Sequence, residues 1–314
     1  MNNINNSKLR VPIVLITDEN YVMPTSVLIT SLIVNKNENT CYKIYIFTTN
    51  ISEQSKNILS SLQSKEIEIV LINNFSIEKY NDVLEKHRHV SKNAIIKFFI
   101  ADILICENIV LYLDSDILVF GDLYNLYHLN IEDYYAGVVK DVITKRGKNN
   151  HLKMLNFPFD AYFNTGVMLM NLSKLREEKL SNKLIDYRIN GYNIFMDQDA
   201  FNMIFGENVF YLSYRYNLLH VYVAWWNSKQ LADFYKEKVP QKKIDIYKNT
   251  LILHLGGPYK PWIFNIGYLS RLYLEYYHLS PYARTNLKLQ SLWLYKAKHI
   301  LIVSWRKIWS KLHF

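Results

Sequence analysis

The sequence predicts an α/β fold with a doubly wound, mostly parallel sheet, and three observations carry that prediction. From residue 11 onward, apolar β-branched runs alternate with segments of helical periodicity. The runs hold few polar positions, as strands covered on both faces do. One of them, Ile109-Val-Leu-Tyr-Leu-Asp114-Ser115-Asp116, ends in two carboxylates, and the carboxyl ends of the strands are where open α/β sheets bind ligands.

Residues 11–17 read as the first strand, ended by Asp18-Glu19-Asn20-Tyr21. Pro24 then stands where a helix starts, and Val27, Leu28, Ser31 and Leu32 give it a stripe of helical spacing. Residues 42–49 form a second strand, Ser52 caps a helix reaching Leu62, and residues 66–72 form a third strand. A helix over 93–105 leads to the strand that ends in Asp114 and Asp116. Residues 134–141 and 162–171 follow as strands, and Gly166 inside the latter points to close backbone approach. Ser173 caps a helix to about Ile189, a short helix covers 196–205, and strands are expected at 209–213 and 251–255. Residues 217–248 are aromatic and irregular and yield no clear element. Strand and helix alternate as in a Rossmann-like sheet, with helices expected on both faces. The simplest partition is one domain over residues 1–275 and an appended tail over 276–314.

With 314 residues, half of them apolar, the chain can bury a large core, which excludes disordered and fibrous classes. The two cysteines, Cys41 and Cys106, lack C-x-x-C spacing and read as reduced core residues. The N-terminal residues lack a signal-peptide pattern, and no apolar run approaches the roughly 20 residues that span a bilayer. Seven of the nine net positive charges lie after Glu275, where no acidic residue occurs. There Trp293, Ile300, Leu301, Trp305, Ile308 and Trp309 alternate with Lys and Arg, the composition of a helix lying on an anionic membrane; an ordinary amphipathic helix docked on the domain has the same pattern. A cytoplasmic protein, peripheral on the cytoplasmic face of the inner membrane, is the expectation.

Alternation along a strand turns Asp114 and Asp116 to one face, where both reach one divalent cation, although aspartates also simply end strands. His254, at the end of a short apolar strand beside Gly256-Gly257, is the candidate third ligand, or else a packed core histidine. Two carboxylates and one imidazole with open positions suit Mn²⁺ or Mg²⁺ better than a closed zinc site. Lys260 and the Gly257 N–H can face a diphosphate, or belong to a Gly-Pro turn with a solvated lysine.

Five motifs in order resemble glycosyltransferase family 8: Asp18-Glu-Asn20-Tyr21; Leu-Tyr-Leu-Asp114-Ser-Asp116 with Gly121-Asp-Leu; Tyr162-Phe-Asn164-Thr-Gly166-Val-Met-Leu-Met-Asn171; Asp197-Gln198-Asp199; and His254-Leu-Gly-Gly257-Pro-Tyr-Lys260-Pro-Trp262. The resemblance covers roughly residues 11–265 and is nearest the bacterial lipopolysaccharide and lipo-oligosaccharide galactosyl- and glucosyltransferases. It implies a GT-A fold, a UDP-galactose or UDP-glucose donor, Mn²⁺ (or Mg²⁺), a saccharide or glycolipid acceptor, and transfer with retention. By the same resemblance Asp114, Asp116 and His254 hold the metal; Asp18, Asn20 and Tyr21 take uracil and ribose; Gly257 and Lys260 take the diphosphate. Asn164, Asp197 and Gln198 line the donor sugar, with Gln198 facing the anomeric carbon and Asp197 and Gln198 at the chemistry. Ser115, Asp141 and Lys97 join the donor site, and His89 lies near donor sugar or acceptor. Lys97 stands where bacterial members usually carry arginine, which loses a planar two-pronged donor. An amide at position 198 is a poor nucleophile, so a front-face route is expected over a covalent intermediate.

Three rival readings account for less. A phosphatase using D-x-D would want Thr or Val two residues past the second Asp, where Leu118 stands. Polyanion or nucleic-acid binding through the tail leaves the strand-end carboxylates without a role, so no nucleic-acid partner is expected. Self-glucosylation in the manner of glycogenin would draw on some of the 25 tyrosines, a number that follows from composition. Aromatic residues Tyr222, Trp225 and Trp226 fit either an acceptor groove or the core.

Overall fold

The structure, a computed structural model, describes residues 9–73, 92–142, 148–158, 161–192 and 194–295. Eight strands supply the frame over the first two thirds of the chain: β1 (Leu9–Asp18), β2 (Thr40–Thr49), β3 (Ile67–Ile72), β4 (Ile109–Leu113), β5 (Ile117–Val119), β6 (Ala136–Lys140), β7 (Phe163–Asn171) and β8 (Val209–Tyr211). Seven of them form one sheet in the order β3-β2-β1-β4-β7-β6-β8. Pairing is parallel throughout except at β7, which runs antiparallel to both β4 and β6. The mostly parallel α/β sheet predicted from the sequence is therefore present, with one reversed strand in its middle.

Side-chain alternation splits the apolar residues of the central strands into two cores. Val11, Ile13, Leu15, Leu111, Leu113 and Leu169 face one side, where the helices Val22–Asn35 and Tyr268–Tyr277 pack. Val14, Ile16, Val110, Tyr112, Met168 and Met170 face the other, against the helices Lys92–Ile103, Leu180–Asn190 and Met196–Phe205. Helices on both faces explain why these strands carry almost no polar residue.

A second, three-stranded sheet is built from β5, β9 (Leu218–Leu219) and β10 (Ile252–His254), with β10 in the middle. The strand expected to carry Asp114 and Asp116 at its end instead stops before them. β4 stops at Leu113, the chain turns through Asp114-Ser115-Asp116, and β5 enters the small sheet antiparallel to β10. The turn makes the two carboxylates a junction between sheets, and the pairing His254↔Ile117 sets the histidine beside it.

Other differences from the sequence reading are local. The helix expected from Ser173 is two helices, Leu172–Glu177 and Leu180–Asn190, separated at Lys179, whose φ of 53° is left-handed; Asn171, not Ser173, is the cap, accepting from Lys174 N. The irregular segment 217–248 contains β9 and three short helices, His220–Trp225, Ser228–Tyr235 and Lys243–Lys248. Cys41 is half-buried and Cys106 is exposed, so the expectation that both lie in the core is corrected; Cys106 sits in the turn before β4, beyond the end of the apolar helix that suggested burial. Near the end of the described residues, β12 (Gln290–Ser291) pairs with β11 (Phe264–Asn265), and the Tyr295 ring lies against Phe264. Among the described residues no helix is long and apolar enough to cross a membrane.

Leu111 is fully buried in β4, between β1 and β7. Replacing it with alanine is expected to lower unfolding stability by about 2–5 kcal/mol, read from the shift of a denaturant midpoint.

Candidate active site

The end of β1, the Asp114–Asp116 turn, the start of β7 and the start of the Met196–Phe205 helix surround a cleft of about 530 Å³. It is lined by Asp18 and Tyr21 at one end and by Asp197 and Gln198 at the other, with Asp114 to Asp116 and Asn164 to Gly166 between. Parallel strands deliver their carboxyl ends here, and the reversed β7 delivers its amino end to the same edge.

At the floor, His254 Nε2 lies 3.2 Å from Asp116 Oδ1 and 3.8 Å from Asp114 Oδ2. One donor atom from each of the three residues falls within 4.8 Å of the other two, close enough for all to meet one cation. Gly166 lets them meet: a Cβ there would come within 2.7 Å of His254 Nδ1 and 2.9 Å of Asp114 Oδ2. The close backbone approach read from the sequence is therefore an approach to the acidic cluster itself. An exclusively oxygen-and-nitrogen donor set with two carboxylates fits a hard divalent ion.

Two lysines balance the acids. Lys97, buried in the Lys92–Ile103 helix, directs its ammonium at Asp197 Oδ2 (2.7 Å), Asp114 Oδ1 (3.3 Å) and the Thr165 carbonyl (3.3 Å), one acceptor for each N–H. The ammonium also lies over the Tyr112 ring, and Tyr112, two residues before Asp114 on the same strand face, donates its hydroxyl to Asp114 Oδ1 at 2.6 Å. Burial works to lower the Lys97 pKa, but Asp114 and Asp197 overcome it and the pKa is raised. Lys97 is thus committed to two carboxylates. Lys260 caps the second acid, reaching Asp116 Oδ2 and the Leu255 carbonyl (3.0 Å). Burial works to raise the Asp116 carboxyl, but His254 and Lys260 hold it far below the usual carboxylate range.

A chain of amides runs along the wall behind the cleft. His254 Nδ1 lies 3.0 Å from Asn217 Oδ1; Asn217 Nδ2 donates to Asn164 Oδ1 (2.8 Å); Asn164 Nδ2 donates to Gln198 Oε1 (2.9 Å); Gln198 Nε2 donates to Asp141 Oδ2 (2.9 Å), which also takes the Tyr222 hydroxyl on its other oxygen. Asp199, fully buried, accepts from His151 Nε2 (2.8 Å), the Tyr162 hydroxyl and the backbone N–H of Ile194 and Phe195, so it fixes the 194–196 rim of the cleft.

At the other end, the Asp18 carboxylate accepts the N–H of Asn20 (3.0 Å) and Tyr21 (3.2 Å), and the Tyr21 ring meets Trp262 edge to face. Asn20 is exposed beside them. Ser115 is buried and donates to the Ile16 carbonyl, tying the acidic turn to β1. Gly257 has φ +98°, a conformation costly to any other residue, and its missing side chain faces Val221. The structure therefore brings Asp18, Tyr21, Lys97, Asp114, Ser115, Asp116, Asn164, Asp197 and Gln198 to the lining of one cleft, with His254 and Lys260 against Asp116, Asn20 beside Asp18, and Asp141 behind Gln198. His89 lies outside the described residues. Tyr222 is core, bonded to Asp141, whereas Trp225 is 63% exposed. Sequence reasoning missed Asn217 and the roles of Tyr112 and Thr165. The spacing of Tyr112 from Asp114 could have revealed the first of these roles, but nothing marks Asn217 in its irregular segment.

The seven-stranded, mostly parallel sheet with helices on both faces and an acidic turn leading into a second sheet is an α/β architecture of the GT-A kind, and comparisons with known proteins agree. The chain belongs to glycosyl transferase family 8, whose model matches residues 12–265. It is 27% identical over 288 residues to general stress protein A of Bacillus subtilis, covering 87% of this chain and 94% of that one. It is 26% identical over 285 residues to an Escherichia coli lipopolysaccharide 1,2-glucosyltransferase, covering 86% and 79%. Among solved structures, galactosyltransferase LgtC in complex with donor and acceptor sugar analogs superposes with a TM-score of 0.68 at 23% identity, covering 86% of this chain and 96% of that one. The bifunctional glycosyltransferase WbbM superposes at 0.72 with 22% identity over 90% of this chain, which corresponds to about half (51%) of the WbbM chain.

Lys97 contributes stability that is fully present below pH 10.5, its ordinary value, and is lost as the pH rises through its higher folded value. Lys97→Met is expected to cost up to about 3 kcal/mol at neutral pH, below the full cost of a broken buried pair because Asp114 is a third exposed. The gap between variant and wild type should close above pH 10.5, measured by denaturant unfolding across an alkaline series.

Proposed function

We propose that this protein is a retaining hexosyltransferase that moves galactose or glucose from a UDP-sugar to a saccharide acceptor, a lipopolysaccharide or lipo-oligosaccharide chain, with Mn²⁺ or Mg²⁺ held by Asp114, Asp116 and His254. The observation that carries this reading is the convergence of those three side chains beside Lys260 on the floor of a cleft, in a chain of family 8. When bound, the cation supplies positive charge for the diphosphate that leaves the sugar.

The residues of the chain divide the remaining work. Asp18, Asn20 and Tyr21 take the uridine at one end of the cleft, and Ser115 holds the turn against β1 beneath the ribose. Lys260 and the Gly257 N–H stand ready for phosphate oxygens, where charge builds as the C–O bond breaks. Asn164, Asp197 and Gln198 line the sugar, with Lys97 fixing Asp197 and Asp141 fixing Gln198. His89 is assigned to the donor sugar or acceptor by the family resemblance alone.

The state of the carboxylates favours front-face transfer. Gln198 is an uncharged amide engaged at both ends, Asp199 is buried under four donors, and Asp197 is paired with Lys97 and Thr165. The acceptor hydroxyl oxygen bonds to the anomeric carbon on the face that the diphosphate leaves, the C–O bond to the diphosphate breaks, and the hydroxyl proton passes to a diphosphate oxygen. Retention follows because attack and departure share one face.

The tail over 276–314, basic and rich in tryptophan, places the enzyme on an anionic membrane surface, at the cytoplasmic face where a lipid-linked acceptor grows. Trp293, Leu294 and Tyr295, the last described residues, are exposed, as the start of such a contact requires.

A panel of UDP-sugars with Mn²⁺ tests the donor, read as slow hydrolysis without acceptor; UDP-galactose or UDP-glucose should be consumed fastest. Asp116→Ala should reduce that turnover by about 10³-fold, the scale of about 4 kcal/mol of lost charge stabilisation, while far-UV dichroism stays unchanged. Undiminished turnover sinks the metal assignment. Deleting residues 296–314, which spares the β11–β12 pairing, should release the protein from anionic vesicles in a flotation assay and leave UDP-sugar hydrolysis intact.

A further inference from the structure

The polarity of every amide in the wall behind the cleft is dictated by one backbone group. Gly166 N–H, which can only donate, bonds to Asn164 Oδ1 at 2.9 Å, so that atom is the oxygen. The Asn164 nitrogen must then face Gln198 Oε1, and the Gln198 nitrogen must face Asp141, which can only accept as a carboxylate. Both ends of this run agree. Asn164 Oδ1 also receives Asn217, whose nitrogen therefore points that way and whose oxygen points at His254 Nδ1, 3.0 Å distant. An oxygen there requires a proton on Nδ1, so Nε2, the ring atom that faces Asp114 and Asp116, is the one left for a cation.

From this we infer that Asn217, on the loop just before β9 and fully buried, is a positioning residue with two separable tasks: its oxygen fixes the ligating tautomer of His254, and its nitrogen holds Asn164 against Gln198. A single side chain so couples the metal site to the sugar-facing amides. No ionised group is needed, which suits a residue with no access to water. The inference rests on the metal reading above, and goes beyond it by assigning a residue that touches neither metal nor substrate.

The tasks come apart by substitution. Asn217→Asp keeps an oxygen for His254 Nδ1–H but turns a second oxygen on Asn164. Asn217→Leu removes both contacts at similar volume. Binding of Mn²⁺ alone, by isothermal titration, should weaken about 10–100-fold in Asn217→Leu, the usual cost of losing the partner of a metal-bound histidine, and should remain within about threefold of wild type in Asn217→Asp. UDP-sugar hydrolysis at saturating Mn²⁺ should show a lower kcat in both variants. A residue that merely supports the fold would affect metal binding equally in the two. If Asn217→Leu does not melt cooperatively, Asn217→Ser, too short to reach Nδ1, takes its place. Equal metal affinity in wild type and the Leu or Ser variant overturns the inference, as does an Asp variant as weak as Leu; absence of Mn²⁺ binding in wild type overturns the metal reading instead.

Discussion

Four carboxylates, Asp114, Asp116, Asp141 and Asp197, crowd one edge of the sheet, and the structure around them is arranged to make that crowding tolerable. Like charges at such spacing in a partly dry cleft repel strongly. Lys97 answers for Asp114 and Asp197, Lys260 and His254 answer for Asp116, and the Gln198 amide and Tyr222 hydroxyl donate to Asp141. The neutralisation is asymmetric. The charge on Lys97 is buried and fully bonded, so it belongs to the scaffold. Lys260 shares Asp116 with His254, an acid that a cation would also bind.

This division explains the architecture of the two sheets. A single long strand through 109–119 would have kept Asp114 and Asp116 in line with the large sheet, away from β10. The turn instead passes the chain into the small sheet, whose central strand ends in His254. The imidazole thereby approaches from a different sheet than the acids do, and the site forms only where both sheets are in place. Its stability is accordingly that of the tertiary fold, with Ser115 and Gly166 as the tightest points of closure.

Much of this was legible in the sequence because its signals are local. The apolar runs at Val11 to Ile16 and at Ile109 specify strands without help from elsewhere. Asp18, Asp114, Asp116 and His254 stand out as polar residues at the ends of apolar segments, where burial would otherwise be costly, whereas Gln198 was found by resemblance. What stayed hidden depends on pairing across long separations. Nothing near Phe163 announces that β7 runs against its neighbours, since strand direction follows from the crossover and not from residue type. Asn217 lies in a segment of mixed aromatic and polar residues, and its importance comes from His254, 37 positions away. The break at Lys179 was missed because lysine in left-handed conformation carries no signal comparable to glycine.

The register between β6 and β7 slips between Val138 and Val139, which pair with Met168 and Asn164 respectively. Thr165, Gly166 and Val167 consequently have no partner across that seam. Their backbone is released from the β6 ladder at the one place where the cleft needs it: the Thr165 carbonyl turns to Lys97, and the Gly166 amide orients Asn164. A perfectly regular sheet would have spent these groups on its own cohesion. The irregularity converts peptide units into fixed dipoles, and it ties the site to chain length, so that adding or removing one residue between 163 and 167 would unmake it even with every side chain preserved.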